Sequence, residues 1–473
     1  MKSSAINIQT LYSDKRIDSS YHLSEGVTVR NAVKNSPYSL SKVGDAANSI
    51  FYGGRAKRVY VKSPKCGIPF LSSSDILLAD VNNVKLASKK YMTGVDEMKL
   101  DKDWILISRS GTIGNCAYTN KQHAQKLASE DVIRINPNDI LRRGYLYAYL
   151  ASSYGHSLLT QGMFGGVIQH IEPDFVANLP IPNMPEQFQK EIDGKIQEAA
   201  KLRGDAADIL KSAETILKAE ANLRELSEND YDYFGPRTSG RECSCFTRSI
   251  KDIGTTTINA FNHSERIRKT KESISCNCLQ IKDVLLGGNT FSTGSLPSIE
   301  VKPGHGIMLI NQKDIFDNIV TGKYISSKGA NLNELVEYGE VIVACDGTLG
   351  ENELFCRTIF ANEDLKGAFL SSHFLRMKTN GTVPEGYLYC WLNSDYGFRF
   401  IRNTQAGTKI CHPIPKLFLS IPVPIISTSK MAEIDTMVKK AHTMRYQANC
   451  LEKEAIAKIE NEIEAWGNKN NKQ

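Results

Sequence analysis

A basic segment at residues 51–65, FYGGRAKRVYVKSPK, combines side-chain types and a spacing that suit a polyanionic ligand. Arg55, Lys57 and Arg58 lie close together, two further lysines follow them, and aromatic residues precede and separate the cations. Lysine and arginine neutralise phosphates, and an arginine can also form a bidentate pair with guanine. The segment therefore predicts contact with a nucleic acid, although an ordinary solvated strand face would have a similar composition.

The positive charge of the chain is concentrated in its first part. Residues 1–185 contain 22 lysines and arginines against 15 aspartates and glutamates, whereas the whole chain has a formal net charge of +6. The rest of the chain is thus nearly neutral. A basic half is compatible with a polyanionic partner, but a modest excess of positive charge does not by itself establish such a partner.

Two close cysteine pairs, Cys243 with Cys245 and Cys276 with Cys278, are the other candidates for chemistry. These four thiols could hold zinc, but paired zinc ligands are usually separated by two or more residues. A single intervening residue instead places both members of a pair on one face of a strand. We therefore favour reduced structural thiols and predict no metal site, with zinc as the alternative.

Motifs of a catalytic protein are absent from the sequence. It has no glycine-rich cofactor loop of a methyltransferase, and NPND at 136–139 is only half of the corresponding catalytic turn. It also lacks a P-loop and a clustered set of carboxylates with a lysine. The histidines lack metal-ligand spacing, and His170 and His412 are interpreted as polar surface or DNA-facing residues. We predict that the chain is not an enzyme and binds no cofactor itself.

The elements that must position these residues occur twice. Six anchor segments recur in the same order at offsets of 234–242 residues. The clearest are GIPFLSSSDI and GIMLINQKDI (67–76 and 306–315), SGTIG and DGTLG (110–114 and 346–350), and YLYAYL and YLYCWL (145–150 and 387–392). The repetition predicts two copies of one mixed α and β domain. The glycine segments are interpreted as tight turns between strands, because they are too short for phosphate loops.

Each copy ends in a segment typical of a long amphipathic helix. We predict a globular domain over 1–184, a long helix over 185–228, a second domain over 229–428, a second long helix over 429–468 and a disordered tail over 469–473. Apolar residues at helical spacing predict that the two helices pair with each other, although each could wrap around its own domain instead. The predicted pairing residues are Ile192, Ile196, Ala206, Leu210, Leu217, Ile434, Val438, Ala448, Leu451 and Ile459.

Four segments of the first copy, GIPFLSSSDI, WILISRSGTIG, YLYAYLASSYG and LPIPNMPEQFQKEI, closely resemble the specificity subunits of type I restriction–modification enzymes. Similar subunits occur in methylation-associated phage-defence systems. The resemblance implies an α+β fold with tandem duplicated target-recognition domains. Each domain would be followed by a long α-helix, and the two helices would form an antiparallel coiled coil.

The resemblance also implies the function. Such a subunit is non-catalytic, recognises a bipartite site in double-stranded DNA and recruits DNA methyltransferase subunits, usually two. A restriction and translocation subunit joins where cleavage occurs. S-adenosylmethionine would bind the partner methyltransferase. The second copy departs from the pattern, since it lacks the basic segment and the PEQ helix start, which leaves its DNA face less defined than that of the first.

The predicted DNA contacts combine the basic segment with loop positions in both copies. They are Arg55, Lys57, Arg58, Ser73, Ser74, Arg109, Gln161, Gln312, Lys313, Thr348, Gln405 and Lys409.

Two other classes of function stay open at the level of sequence. One is a self-contained DNA methyltransferase or nuclease with a diverged site, and the other is a scaffold that binds only proteins. The chain has neither an apolar run long enough for a bilayer nor the apolar core of a signal peptide at its N-terminus. We therefore expect a cytoplasmic, nucleoid-associated protein without a membrane partner.

Overall fold

The computed structural model describes residues 5–14, 16–165, 169–227, 230, 246–254, 256–297 and 299–470. The chain divides into two compact units. The first contains Met1–Gly204 and Gln447–Gln473, and the second contains Asp205–Tyr446. Among the described residues, no helix is both long and apolar enough to cross a membrane.

The first unit mixes short helices with short strands. Its helices are α1 (Ile8–Asp14), α2 (Ser19–His22), α3 (Glu25–Lys34), α4 (Val95–Met98), α5 (Arg143–Ala151), α6 (Ser153–Gln161) and α7 (Pro173–Ala177). Its strands are β1 (Leu40–Lys42), β2 (Ala47–Phe51), β3 (Tyr60–Val61), β4 (Gly67–Leu71), β5 (Leu86–Ser88), β6 (Ile105–Ser108), β7 (Cys116–Tyr118), β8 (Leu127–Ala128), β9 (Val132–Pro137) and β10 (Pro180–Pro182).

Two four-stranded sheets organise the first unit. One has the order β2-β9-β6-β7 with antiparallel pairs, and the other has the order β3-β5-β4-β8 with β4 and β8 parallel. Strand β6 is buried along its whole length, which fits its run of β-branched and aliphatic residues. The turn after β6 therefore leaves the sheet from a buried strand that lies between β9 and β7.

A long helix, α8 (Glu186–Glu220), follows β10. It ends earlier than predicted from the sequence. Asn222 adopts a left-handed φ of 49°, and the Leu223 N–H donates to the Lys218 carbonyl at 2.9 Å. This Schellman-type ending satisfies helix carbonyls that would otherwise lack donors.

The second unit repeats the mixture. Its helices are α9 (Ile250–Ile253), α10 (Glu265–Glu272), α11 (Ile281–Val284), α12 (Glu385–Asn393), α13 (Asp395–Asn403) and α14 (Pro415–Leu419). Its strands are β11 (Cys278–Gln280), β12 (Ile307–Ile310), β13 (Lys323–Ile325), β14 (Val341–Ala344), β15 (Thr358–Phe360), β16 (Phe369–Leu370), β17 (Phe374–Met377), β18 (Gln405–Ala406), β19 (His412–Pro413) and β20 (Pro422–Pro424). The final helix, α15 (Thr428–Asn470), extends into the predicted tail, and residues 471–473 lie outside the described part.

The sheets of the second unit follow the plan of the first. Strand β14 lies between β15 and β17 as β6 lies between β7 and β9. Strand β12 pairs with β13 antiparallel and with β16 parallel, as β4 does with β5 and β8. The proline strands also match, because β1 pairs with β10 and β11 pairs with β20 in the same antiparallel register.

Individual hydrogen bonds are repeated as well. The Tyr145 hydroxyl donates to the Pro182 carbonyl at 2.6 Å, and the Tyr387 hydroxyl donates to the Pro424 carbonyl at 2.8 Å. Ser152 caps α6 through the Gly155 N–H, and Ser394 caps α13 in the same way, both at 3.2 Å. Equivalent side chains thus hold equivalent backbone segments inside each unit.

Segments of α8 and α15 pack together within the first unit. Ile192, Ile196, Ala455 and Ile459 belong to one hydrophobic cluster of buried residues. Ion pairs flank it between Lys195 and Glu454 at 2.7 Å, and between Lys458 and Glu191. As the residue number rises on one helix it falls on the other, so the two segments run antiparallel.

The second unit contains the other segments of the same two helices. Ala213, Leu217, Ile434 and Val438 are buried in its main cluster, with Leu210 packed against it. Of the remaining predicted pairing residues, Ala206 and Ala448 are fully buried and Leu451 is half-buried. Both long helices also contact the globular part of a unit, so mutual pairing and wrapping occur together.

Candidate nucleic-acid interface

The basic segment forms the connection from β2 to β3, and its cations differ in their surroundings. Arg55 and Lys57 are exposed. Arg58 forms an ion pair with Glu130 at 2.6 Å and lies over the Phe70 ring at 5.6 Å, with 37% of its side chain exposed. The hydrogen bond with Glu130 raises the pKa of Arg58 above its ordinary value. Arg58 is therefore partly neutralised, whereas its two neighbours face solvent.

Arg109 follows β6 and is held from two sides. Its guanidinium donates to Glu172 at 2.5 Å and stacks over the Tyr52 ring at 4.3 Å. Only 12% of the Arg109 side chain is exposed. The arginine therefore clamps the turn after β6 to the basic segment and leaves little of itself for a ligand. Sequence reasoning missed Tyr52 and Glu172 because their partner is distant in the chain.

The SGTIG turn joins β6 to β7, as its glycines predict. Gly111 and Gly114 have φ values of 78° and 86°, a region that L side chains rarely adopt. The Ser110 hydroxyl lies 2.6 Å from Nδ1 of His170. The turn thus holds a serine–histidine pair at the end of β6, with Ser110 buried and His170 half-buried.

The corresponding turn of the second unit carries a different polar group. Asp346 follows β14 and replaces Ser110, and His412 replaces His170 at the repeat offset. Nδ1 of His412 contacts one carboxylate oxygen of Asp346, and Nδ1 of His373 contacts the other. Sequence reasoning missed His373, although the same offset aligns it with Asp131 of the first copy.

Gln312, one of the predicted DNA contacts, braces this second turn. Its Nε2 donates to the Asp346 carbonyl at 2.6 Å, and its Oε1 accepts from the Asp346 N–H at 3.3 Å. The neighbouring Lys313 and, beyond Asp346, Thr348 are exposed. Gln312 therefore positions the turn, and the residues on either side of it remain accessible.

Two predicted contact residues lie beneath the surface. Gln161 is 3% exposed, and its Nε2 is 3.5 Å from the Tyr21 carbonyl. Gln405 is 5% exposed in β18, where its carbonyl accepts from Asn262 at 3.0 Å. Gln161 ends α6 and Gln405 follows α13 in β18, and contacts with the N-terminal part of each copy cover both side chains, which explains the difference from the sequence prediction.

The other predicted residues are accessible to different degrees. Ser73 is half-buried, and Ser74 and Lys409 are exposed. The accessible subset of the prediction thus consists of Arg55, Lys57, Arg58, Ser74, Lys313, Thr348 and Lys409, of which Arg58 is paired with Glu130.

The cysteine pairs offer no metal centre within the described residues. Cys278 begins β11, and Cys276 lies two residues before it. Burial, together with the neighbouring Cys276, raises the pKa of the Cys278 thiol to about 11. A thiol with this pKa stays protonated near neutral pH. The described chain has no group of three or more histidine, cysteine or acidic residues arranged to hold a metal ion. Cys243 and Cys245 lie outside the described residues.

Comparison with known proteins relates part of the chain to a known family. A sequence model described as "Type I restriction modification DNA specificity domain" matches residues 36–199. Residues 36–199 therefore match a type I specificity domain. The resemblance expected from the sequence is thereby confirmed. The matched range extends from before β1 into α8, and so includes the basic segment, the SGTIG turn and the start of α8. No curated protein matches the chain.

Solved structures of specificity subunits are also similar to the chain. The S subunit of a type I restriction-modification system from M. genitalium shares 14% identity, with 91% of this chain and 94% of that chain covered and a TM-score of 0.29. The HsdS subunit from Thermoanaerobacter tengcongensis shares 11% identity, with 91% and 96% covered and a TM-score of 0.27.

Proposed function

We propose that this chain is the non-catalytic DNA-recognition subunit of a type I restriction–modification complex or a related methylation-based defence complex. Two target-recognition domains, produced by tandem duplication, would each contact one half of a bipartite site. The chain would recruit methyltransferase subunits, usually two in this family, and S-adenosylmethionine would bind to those partners. The observation that carries the proposal is the specificity domain in residues 36–199.

Repetition inside the second unit supports the extension to the whole chain. That unit has the same strand order around its central strand and the same proline-strand register as the first. The two turns after the central strands differ chemically, with Ser110 in one and Asp346 in the other. A shared scaffold with different polar groups at one position suits two domains that recognise different half-sites.

The paired helix segments support a spacer role. Within each unit, a segment of α8 packs against a segment of α15. We propose that the two helices form an antiparallel coiled coil that sets the distance between the half-sites. The partner methyltransferase would flip the target base from the duplex, because its reactive atom is hidden in the stack.

Sequencing of methylated bases tests the proposal directly. A host that lacks this chain is compared with the same host after the gene is restored, by long-read detection of modified bases. We expect a bipartite motif with a fixed gap that appears only when the chain is present. Identical methylation in both strains would contradict the proposal, and a continuous motif would contradict the bipartite arrangement.

A further inference from the structure

The Asp346 cluster, defined as Asp346, His373 and His412, brings together three separate segments of the second unit. Asp346 follows β14, His373 precedes β17, and His412 lies in β19. Backbone hydrogen bonds tie the segments together, since the Cys345 N–H donates to the His373 carbonyl at 3.0 Å. Gly347 and Cys411 exchange two such bonds at 2.8 and 3.3 Å. The cluster is thus built on paired backbone.

The carboxylate determines which ring nitrogen of each histidine carries a proton. Nδ1 of His373 contacts one oxygen of Asp346 and Nδ1 of His412 contacts the other. An ionised carboxylate only accepts hydrogen bonds, so each Nδ1 must donate. A neutral imidazole has one donor and one acceptor. Nε2 of both neutral rings is therefore an acceptor, on the side of the ring away from the carboxylate.

Both rings are open to a ligand. The side chains of His373 and His412 are 55% and 59% exposed, whereas that of Asp346 is 20% exposed. Two predicted DNA contacts lie near the cluster. Gln312 is bonded to the Asp346 backbone. Lys409 lies three residues before His412.

We propose that the Asp346 cluster reads bases in the half-site contacted by the second unit, with the Nε2 atoms of His373 and His412 as acceptors for exocyclic amino groups. Adenine N6 and cytosine N4 offer such donors in the major groove, and guanine N2 does so in the minor groove. The inference rests on the proposed function of the chain and adds the residues and the chemical group that specify the second half-site.

A base contact fits the cluster better than a phosphate contact. The carboxylate of Asp346 lies between the two rings and repels a phosphate. Phosphate contacts at this surface suit Lys313 and Lys409, which are exposed cations. The first unit has a different set at the matching positions, with Ser110, Asp131 and His170, so the same location would read a different base.

The test uses the assembled complex with its methyltransferase partner and the methylated motif found for the wild-type chain. Base analogues that lack the exocyclic amino group are placed singly at each position of the second half-site: purine for adenine, 2-pyrimidinone for cytosine and inosine for guanine. For the wild-type complex we expect about a five- to tenfold loss of DNA affinity at one or two positions, as for one lost hydrogen bond.

Three variants identify the residues responsible. His373→Ala and His412→Ala should each remove the discrimination against the analogue at one position. Asp346→Asn keeps both rings but should weaken the discrimination against the analogue, because the asparagine amide donates and can force a ring into the opposite tautomer. His305→Ala, at an exposed histidine of the same unit, is the matched control and should leave every position unchanged.

Discrimination at the first half-site shows in each case that the variant has folded and assembled. Unchanged discrimination at every position of the second half-site in the three variants would overturn the inference while leaving the proposed function intact. The same loss in His305→Ala would also overturn it. A wild-type complex without any sequence preference would overturn both.

Discussion

The cationic side chains in and next to the basic segment have two different roles. Arg55 and Lys57 are free to neutralise phosphates, since both are exposed. Arg58 and Arg109 are engaged with Glu130 and Glu172 at 2.6 and 2.5 Å. The distinction matters because an arginine already paired with a carboxylate gives up that contact before it binds DNA. The charge pattern in the sequence cannot separate the two roles, since both acidic partners are distant in the chain.

The double substitution Arg55→Ala and Lys57→Ala should weaken DNA binding by the assembled complex about equally for all sequences. Each lost phosphate contact should also reduce the slope of log affinity against log salt by about 0.9. Filter binding or fluorescence anisotropy at several salt concentrations measures both effects. Lys201→Ala, at an exposed lysine of α8, is the control. An unchanged affinity and salt slope would remove Arg55 and Lys57 from the interface.

Buried His123 should make the first unit less stable in acid. Burial, with the positive charges of Lys126 and Arg203, lowers the pKa of His123 to about 4, whereas an unfolded chain has a histidine pKa near 6.5. Between these values only the unfolded state binds the proton, so stability decreases as the pH falls. The slope is at most about 1.4 kcal/mol per pH unit.

Urea unfolding at pH 7, 6 and 5 measures this dependence. His123→Gln should show a flatter loss of unfolding free energy between pH 6.5 and 5 than the wild-type chain. His305→Gln, at an exposed histidine, should retain the wild-type slope. Equal slopes for His123→Gln and the wild-type chain would show that His123 is not kept neutral by its environment.

At the scale of elements, an aspartate near the start of each long helix fastens it to a shorter helix. Asp193 of α8 accepts from the Gly144 N–H at 2.7 Å, and Asp435 of α15 accepts from the Gly386 N–H at 2.9 Å. Both donors lie in the first turn of their helices, α5 and α12, where backbone N–H groups lack partners within the helix. The two bonds are equivalent in the repeat.

Asp193→Ala and Asp435→Ala should each destabilise the unit that contains the bond, by about 1–3 kcal/mol for a hydrogen bond to a charged group. Urea unfolding followed by hydrogen exchange can assign the loss to one unit. Asp139→Ala, at an aspartate whose side chain is 94% exposed, should have little effect. Substantially unequal losses for the two substitutions would argue against equivalent roles.

The long helices offer a test of the spacer role. The division between the units falls after Gly204 in α8 and after Tyr446 in α15. Seven helical residues inserted at both points leave the contacts within each unit intact and add about 10 Å of helix. We expect the gap in the methylated motif to widen by about three base pairs, because one base pair spans about 3.4 Å.

Long-read sequencing of modified bases in cells that express the insertion variant measures the gap. A single insertion in α8 is the control, since it should disturb helix pairing and lower methylation instead of shifting the motif. An insertion variant that is active with the wild-type gap would contradict the spacer role.

At the scale of the whole molecule, the expected behaviour is that of a subunit. The purified chain alone should neither transfer a methyl group from S-adenosylmethionine to DNA nor cut DNA. Methylation should appear when the partner methyltransferase is added. Radiolabelled methyl transfer and a plasmid cleavage assay provide the measurement. Activity of the chain alone would favour a self-contained enzyme, and a complex without DNA affinity would favour a protein scaffold.

The sequence by itself predicted the features that depend on local pattern. Repeated anchors indicated two similar mixed domains, and apolar spacing predicted two long helices, because helix periodicity is written in neighbouring residues. The end of α8 was placed too late, since the left-handed Asn222 and its Schellman-type hydrogen bonds leave only a weak signal in the sequence. The family resemblance followed from contiguous segments and was confirmed over residues 36–199.

Tertiary structure alone decided which polar residues are available and which are joined. It buried Gln161 and Gln405, paired Arg109 with Glu172, and brought His373 to Asp346. These outcomes depend on strand register and on packing between segments far apart in the chain. A side chain's type and spacing say what it could bind, whereas its neighbours in space determine whether it is free to do so.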